Sequence, residues 1–177
     1  RHLLGAFRMV LAQSSDDAHR FSALGAADVR ATGNLKLAAD PLPVDGDALR
    51  AFTAKIEGRK TWLAASIHPG EDEIAANLHR ALQPAHQGLL TVIVPRHPPK
   101  AADMAATCTR LGLNVALRSR NDAITPATDV YIADTMGELG LFYRACDVVF
   151  VGKSLTVGGG QNPAEPALMG CAIVLGP

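Results

Sequence analysis

Apolar and polar positions run along this chain in blocks whose period switches between that of a strand and that of a helix. Thr61-Trp62-Leu63-Ala64-Ala65 and Leu89-Leu90-Thr91-Val92-Ile93-Val94 are almost unbroken apolar runs, which suits strands covered on both faces. The segment Glu71–Leu82 places Ile74, Leu78 and Leu82 on one helical face, and residues 99–111 keep Ala101, Met104, Ala105, Cys108 and Leu111 at helical spacing. The same reading predicts strands over 114–117 and 130–133, a helix over 137–146, a buried strand over 147–151, a helix over 162–169 and a last strand over 172–175. Strand and helix alternate throughout. The expected fold class is therefore α/β, an open Rossmann-like, doubly wound parallel sheet.

Upstream, Met9-Val10-Leu11-Ala12 reads as a buried strand, and Ser14-Ser15-Asp16-Asp17 supplies a cap and first-turn carboxylates to a short helix ending near Gly25. A second short strand follows over 29–32. Residues 34–46, with Pro41, Pro43 and Gly46, have the composition of a linker. The expected division is 1–33 as the remnant of one domain, 34–46 as the linker and 47–177 as a second domain truncated at its end. A chain that opens on Arg1 and stops just after a strand-like run reads as a fragment.

Composition narrows the function. With 177 residues and 48% hydrophobic content, one sizeable core can form, as expected of a soluble globular protein. Lys plus Arg and Asp plus Glu balance at 17 each, so no global field attracts nucleic acid, and any anion site must be built locally. Aromatic content of 5% offers no base-stacking surface. Cys108, Cys146 and Cys171 lie in apolar runs without metal-site spacing and are expected to be reduced and buried. The six histidines make no zinc-ligand spacing with Cys, Asp or Glu, so no metal is expected. No apolar run is long enough to span a bilayer.

In doubly wound sheets ligands bind beyond the carboxyl ends of the strands. That rule gives weight to residues 66–71, 95–98, 134–138 and 152–165. The loop Gly152 to Gly160, with three consecutive glycines at 158–160 and followed by Gln161-Asn162-Pro163-Ala164-Glu165, leads from a strand into a helix start, where free N–H groups and a positive dipole end can cradle a phosphate. Ser154 and Gly160 belong to that loop. Two familiar alternatives fail: Gly152-Lys153-Ser154 lacks the P-loop glycine five residues earlier, where Asp147 stands, and no strand is followed by GxGxxG.

Glu165 in the first helical turn either stabilises the helix end or accepts from two ribose hydroxyls. Thr135 and Glu138 have capping-box spacing, and the Met136-Gly137-Glu138 turn also offers N–H groups to a phosphate or a base edge. Pro95-Arg96-His97-Pro98 ends an apolar strand; Arg96 brings a planar donor fork and His97 a further donor. His68, before Pro69-Gly70-Glu71, is a weaker candidate facing a sugar, and the acids after it suit a helix start without any function.

Taken together, Ile67-His68-Pro69-Gly70-Glu71, Pro95-Arg96-His97-Pro98, Asp134-Thr135-Met136-Gly137-Glu138 and Gln161-Asn162-Pro163-Ala164-Glu165 resemble, from about Val10 to Pro177, the 3-deoxy-D-manno-octulosonic acid (Kdo) transferases of lipopolysaccharide synthesis. The resemblance implies the C-terminal, CMP-sugar-binding domain of an inverting glycosyltransferase of the two-Rossmann-domain (GT-B) type. CMP contacts would fall on Pro95, Arg96, Met136, Gly137, Glu138, Asn162, Pro163, Ala164 and Glu165, with His68, His97, Ser154 and Gly160 as possible further donor contacts. The family departs here at Ile67, usually Thr, at Gln161, usually His, and at Ala164, often Leu. Gln161 still hydrogen-bonds but cannot become cationic.

The resemblance further implies CMP-Kdo as donor, a lipid A precursor as acceptor through the acceptor-binding N-terminal domain, the cytoplasmic face of the bacterial inner membrane as location of the longer protein, and no cofactor. The general base would be a Glu of the N-terminal domain, so no catalytic residue is assigned within this chain. Two rival readings remain open: another GT-B enzyme using a UDP-sugar, and a noncatalytic nucleotide-binding domain.

Overall fold

The computed structural model describes residues 2–38, 40–156 and 159–176. Gly158, the first of the three consecutive glycines in the expected loop, lies outside them, as do Arg1, Ala39, Val157 and Pro177. The chain forms two compact units, Arg1–Asp40 and Pro41–Pro177, divided within the turn-rich stretch 34–46.

In the first unit, helix α1 (His2–Gly5), strand β1 (Val10–Ala12), helix α2 (Ser15–Ala23) and strand β2 (Val29–Ala31) precede a 3-10 turn at Leu35–Ala38. The two strands pair in parallel, Val10 opposite Val29. Ser14 caps α2 by accepting the Asp17 N–H at 3.1 Å, and Asp16 and Asp17 occupy the first turn, where the helix dipole favours them. The strand expected to be buried is only partly so: Ala12 is buried but Leu11 is exposed. A two-stranded sheet with one short helix beside it has little surface to offer each strand.

The second unit contains helix α3 (Gly46–Lys55), β3 (Thr61–Ile67), α4 (Glu71–Leu82), β4 (Leu90–Pro95), a 3-10 turn at Pro98–Lys100, α5 (Ala101–Arg110), β5 (Val115–Leu117), β6 (Val130–Ile132), α6 (Leu139–Ala145), β7 (Val148–Val151), α7 (Ala164–Leu168) and β8 (Ala172–Val174). Six strands form one sheet in the order β5-β6-β4-β3-β7-β8, with every neighbouring pair parallel. This is the α/β parallel sheet that the sequence pattern predicts. Side chains alternate between its faces: Leu63, Ala65, Val92 and Val149 pack with Phe52 of α3 and Leu141 and Phe142 of α6. Ala64, Ile93 and Ile132 pack on the other face with Ala75 and Ala76 of α4 and Met104 and Cys108 of α5.

β3 is central, and the chain winds outward to β4 on one side before returning to place β7 on the other. The carboxyl ends of β3 and β7 therefore flank the point where the winding reverses, the usual crevice for ligands in such sheets.

Several local expectations change. α4 has the predicted bounds but not the predicted face: Ala75, Ala76 and His79 are buried, whereas Ile74 and Leu78 are exposed by about two fifths. Small alanines let the helix approach the sheet closely, and Ile74, Leu78 and Leu82 instead line an apolar groove with Leu155, Val174 and Leu175. His79, a polar member of the buried face, pairs through Nδ1, 2.8 Å from Thr91 Oγ1, while its buried Nε2 lies 3.6 Å from Asp129 Oδ1 without a hydrogen bond, and burial pushes its pKa down. α3 lies where the pattern offered no element; Asp45 starts it by accepting from the N–H groups of Asp47 and Ala48. The helices expected over 137–146 and 162–169 are shorter, spanning Leu139–Ala145 and Ala164–Leu168. Of the three thiols, Cys108 and Cys146 are buried, and burial pushes each up to about 12. Cys171 is only partly buried, its thiol reaching the Tyr143 carbonyl at 3.1 Å, because it precedes an edge strand.

Candidate functional site

Four parallel strands, β6, β4, β3 and β7, end side by side, so the segments that follow them share one edge of the sheet. At the end of β3 the strand register slips between Ala65 and Ile67, and Ser66 takes a left-handed φ of 54°. The chain then turns through His68 and Gly70 into α4. At the end of β7, Gly152 passes so close to this bend that an added Cβ would lie 2.6 Å from the Ser66 carbonyl oxygen and 2.7 Å from Ile67 Cα. Only glycine fits there, which is the structural reason for Gly152 ahead of the loop.

The loop after Gly152 is closed by two backbone bonds, Gln161 N–H to the Gly152 carbonyl and Gly160 N–H to the Lys153 carbonyl, each 2.9 Å. Lys153 is held at φ 65°. Its N–H donates to Glu71 Oε2 at 2.8 Å, and the N–H groups of Ser154 and Leu155 donate to Glu71 Oε1 at 3.1 and 3.2 Å. The His68 N–H completes the set, donating to Oε2 at 2.8 Å. Glu71 is fully buried.

These bonds correct the expectation of a phosphate cradle at Ser154 and Gly160. The Gly160 N–H is spent on the Lys153 carbonyl. Ser154 is buried, with its N–H on Glu71 and its hydroxyl donating to the Val151 carbonyl while accepting the Gly176 N–H. The carboxylate of Glu71, read from sequence as an ordinary helix-start acid, already occupies the donors.

Around this clamp sit the polar side chains of the crevice. His68 is half-buried, its Nε2 3.3 Å from the Gln161 amide nitrogen, and its ring stands 6.0 Å from His97 in an edge-to-face arrangement. The Arg96 N–H bonds the Ile67 carbonyl at 2.9 Å, which fixes Arg96 beside His68. The Arg96 guanidinium is exposed and makes no ion pair or hydrogen bond among the described residues. Pro95, buried, pairs with Ile67 across the β3–β4 ladder. Asn162 Oδ1 accepts the Ala164 N–H at 3.1 Å from just ahead of the N-cap position of α7, which Pro163 and not Asn162 occupies; Pro163 is exposed and Ala164 buried. Glu165 is half-buried in the first turn of α7, its charge adding to the burial that raises the Tyr143 pKa.

The turn after β6 forms a second cluster. Met136 and Gly137 are exposed, Gly137 at φ 81°. Glu138 does not close a capping box: it occupies the N-cap position of α6 without bonding a helix N–H. Its carboxylate instead accepts Arg118 Nε at 2.6 Å, Arg118 Nη2 and the Thr135 hydroxyl. Arg118 Nη1 also reaches the Tyr131 hydroxyl at 3.3 Å, and the guanidinium carbon lies 5.5 Å from the centre of the Phe142 ring. Hydrogen bonding to Arg118 holds the Glu138 carboxyl below its ordinary range, and the same bond raises the Arg118 pKa. This pair rims a bowl of about 390 Å³ that also includes Lys55, Phe52 and Asn121. Arg118 went unnoticed in the sequence, although it stands just after a strand, the position that marked the others.

Among the described residues no group of three His, Cys, Asp or Glu side chains gathers as metal ligands, and no helix is long and apolar enough to cross a membrane.

A family model described as 3-deoxy-D-manno-octulosonic-acid transferase (kdotransferase) matches residues 1–39. The crystal structure of the C-terminal CMP-Kdo binding domain of WaaA from Acinetobacter baumannii superposes with a TM-score of 0.67 at 33% identity, covering 74% of this chain and 72% of that one. The chain belongs to the Kdo transferase family. Kdo transferase of Haemophilus influenzae is 36% identical over 173 residues, 95% of this chain and 40% of that protein. The enzyme of Rickettsia felis is 30% identical over 99% of this chain and 38% of its own length, and the probable mitochondrial enzyme of Arabidopsis thaliana 33% identical over 98% and 40%. The chain thus spans about two fifths of the length of the curated relatives it matches.

Proposed function

We propose that this chain is the donor-nucleotide half of a Kdo transferase. It would bind CMP-Kdo, and the longer protein would transfer Kdo, with inversion, to a lipid A precursor at the cytoplasmic face of the bacterial inner membrane. The observation that carries the reading is the exposed Arg96 at the end of β4, its guanidinium without an acidic partner among the described residues and its backbone tied to Ile67, next to the His68 that meets His97 and Gln161. The likeness to a solved CMP-Kdo binding domain supplies the ligand.

In this reading Arg96 takes the phosphate of CMP, and its planar fork stabilises the charge that grows as the leaving group departs. The Met136-Gly137 turn offers backbone donors, and Glu138 joins the nucleotide contacts with its carboxylate already oriented by Arg118. Asn162, Pro163 and Ala164 border the nucleotide, and Glu165 accepts from the ribose hydroxyls. The bond that breaks joins the anomeric carbon of Kdo to the phosphate, and the bond that forms joins that carbon to an acceptor oxygen. The acceptor proton passes to a base of the other domain, across the cleft. CMP-Kdo is a substrate, and no resident cofactor or metal enters the scheme.

The test is a titration of the chain with CMP, using UMP and AMP as comparators, followed by two-dimensional NMR. Selective CMP shifts at Arg96, Gly137 and Glu165 are expected, and Arg96→Ala and Glu165→Ala should each weaken CMP binding about tenfold or more. Equal affinity of both variants and wild type would refute the site; a preference for UMP would favour a UDP-sugar.

A further inference from the structure

We propose that Glu71 is the positioning residue of this donor site, an internal anion that shapes the loop from which the nucleotide sugar is held. The proposal rests on the CMP-Kdo reading. Successive N–H groups of Lys153, Ser154 and Leu155 converge on one point, a concave arrangement that ordinarily receives an external anion such as phosphate. Here the chain fills it from within. Both Glu71 oxygens are used, Oε2 by His68 and Lys153 and Oε1 by Ser154 and Leu155, in a setting that excludes water.

What the carboxylate achieves is a link between strand ends that are far apart in sequence. It ties His68, after β3, to Lys153–Leu155, after β7, across 82 to 84 residues of chain from its own position to the loop. It also holds Lys153 in the left-handed region that a side chain adopts only at a cost. Lys153 in turn anchors Gly160, and Gly152 anchors Gln161, whose amide meets His68. One buried carboxylate thereby sets the mutual position of His68, Lys153 and Gln161. Glu71 itself touches no ligand; it acts through the loop.

Glu71→Gln tests this in the 177-residue chain. The substitution keeps the shape but turns one acceptor into an NH2 group facing two of the four donors. Wild type is titrated with CMP first. The expected result is a folded variant whose Lys153, Ser154 and Leu155 amide resonances move while those of β4 and β6 stay, with CMP affinity lowered about tenfold. Glu71→Asp, which retracts the oxygens by one methylene, should show the same signature more weakly and serves if the Gln variant does not fold. Wild type indifferent to CMP would refute the nucleotide reading and this proposal with it. CMP binding by wild type and equal binding by a variant with displaced loop amides would overturn the proposal alone. Should both variants unfold, CMP shifts in wild type confined to residues outside 153–161 would overturn it, and shifts within that loop would support it.

Discussion

Two glutamates at the same edge of the sheet are neutralised in opposite ways. Glu71, after β3, is satisfied wholly by backbone N–H groups in a fully buried setting, whereas Glu138, after β6, is satisfied by the side chains of Arg118 and Thr135 at partial exposure. The first arrangement survives any side-chain replacement in its donors, provided the backbone can follow the same path. The second depends on the identity of one partner, Arg118, and can be undone or retuned by a single substitution there. The crevice therefore combines a rigid end, set by main chain, with an adjustable one.

The largest expected effect comes from removing the rigid anchor altogether. Glu71→Ala would leave four backbone N–H groups, one buried and three partly buried, without their carboxylate partner, and chemical denaturation should show a loss of about 3 kcal/mol or more. Next is Gly152→Ala, which forces a Cβ to within 2.6 Å of a carbonyl oxygen; a loss of about 1–3 kcal/mol is expected, and an unchanged midpoint would show that the two strand ends can part freely.

The adjustable end should respond less. Arg118→Met should cost about 1 kcal/mol, because the pair is partly solvated. It also carries a pH signature. Since the folded state lowers the Glu138 pKa, the pair's contribution is full above the ordinary glutamate value near 4.5 and is lost as pH falls through the lower folded value. Stability measured downward from pH 5 should thus fall more steeply in wild type than in Arg118→Met, and identical acid limbs would remove the asymmetry between the two glutamates.

The parallel sheet was legible because its strands are nearly continuous apolar runs, and the family emerged from motifs placed after them. Side-chain partnership was much less legible. Glu71 sits in a segment rich in acids, where a helix-start role explains it fully, and three of its four donors lie more than 80 residues away. α4 shows the same limit on a smaller scale: periodicity locates the helix and its apolar stripe of Ile74, Leu78 and Leu82, but the sheet takes the smaller Ala75 and Ala76 for close packing. Ser154 and Gly160 looked available because a sequence does not reveal which N–H groups the fold has already used.

The distance between Glu71 and its donors also has a consequence in time. During synthesis at about 5–20 residues per second, Glu71 is added to the chain roughly 4 to 17 seconds before Leu155, the last of its partners. Throughout that interval β3, α4 and β4 can assemble through nearby contacts, but of the four donors only the His68 N–H is present to meet the glutamate. Closure of the clamp is thus a late step of biogenesis, and the crevice between β3 and β7 matures after the layers on either side of its central strand have begun to form.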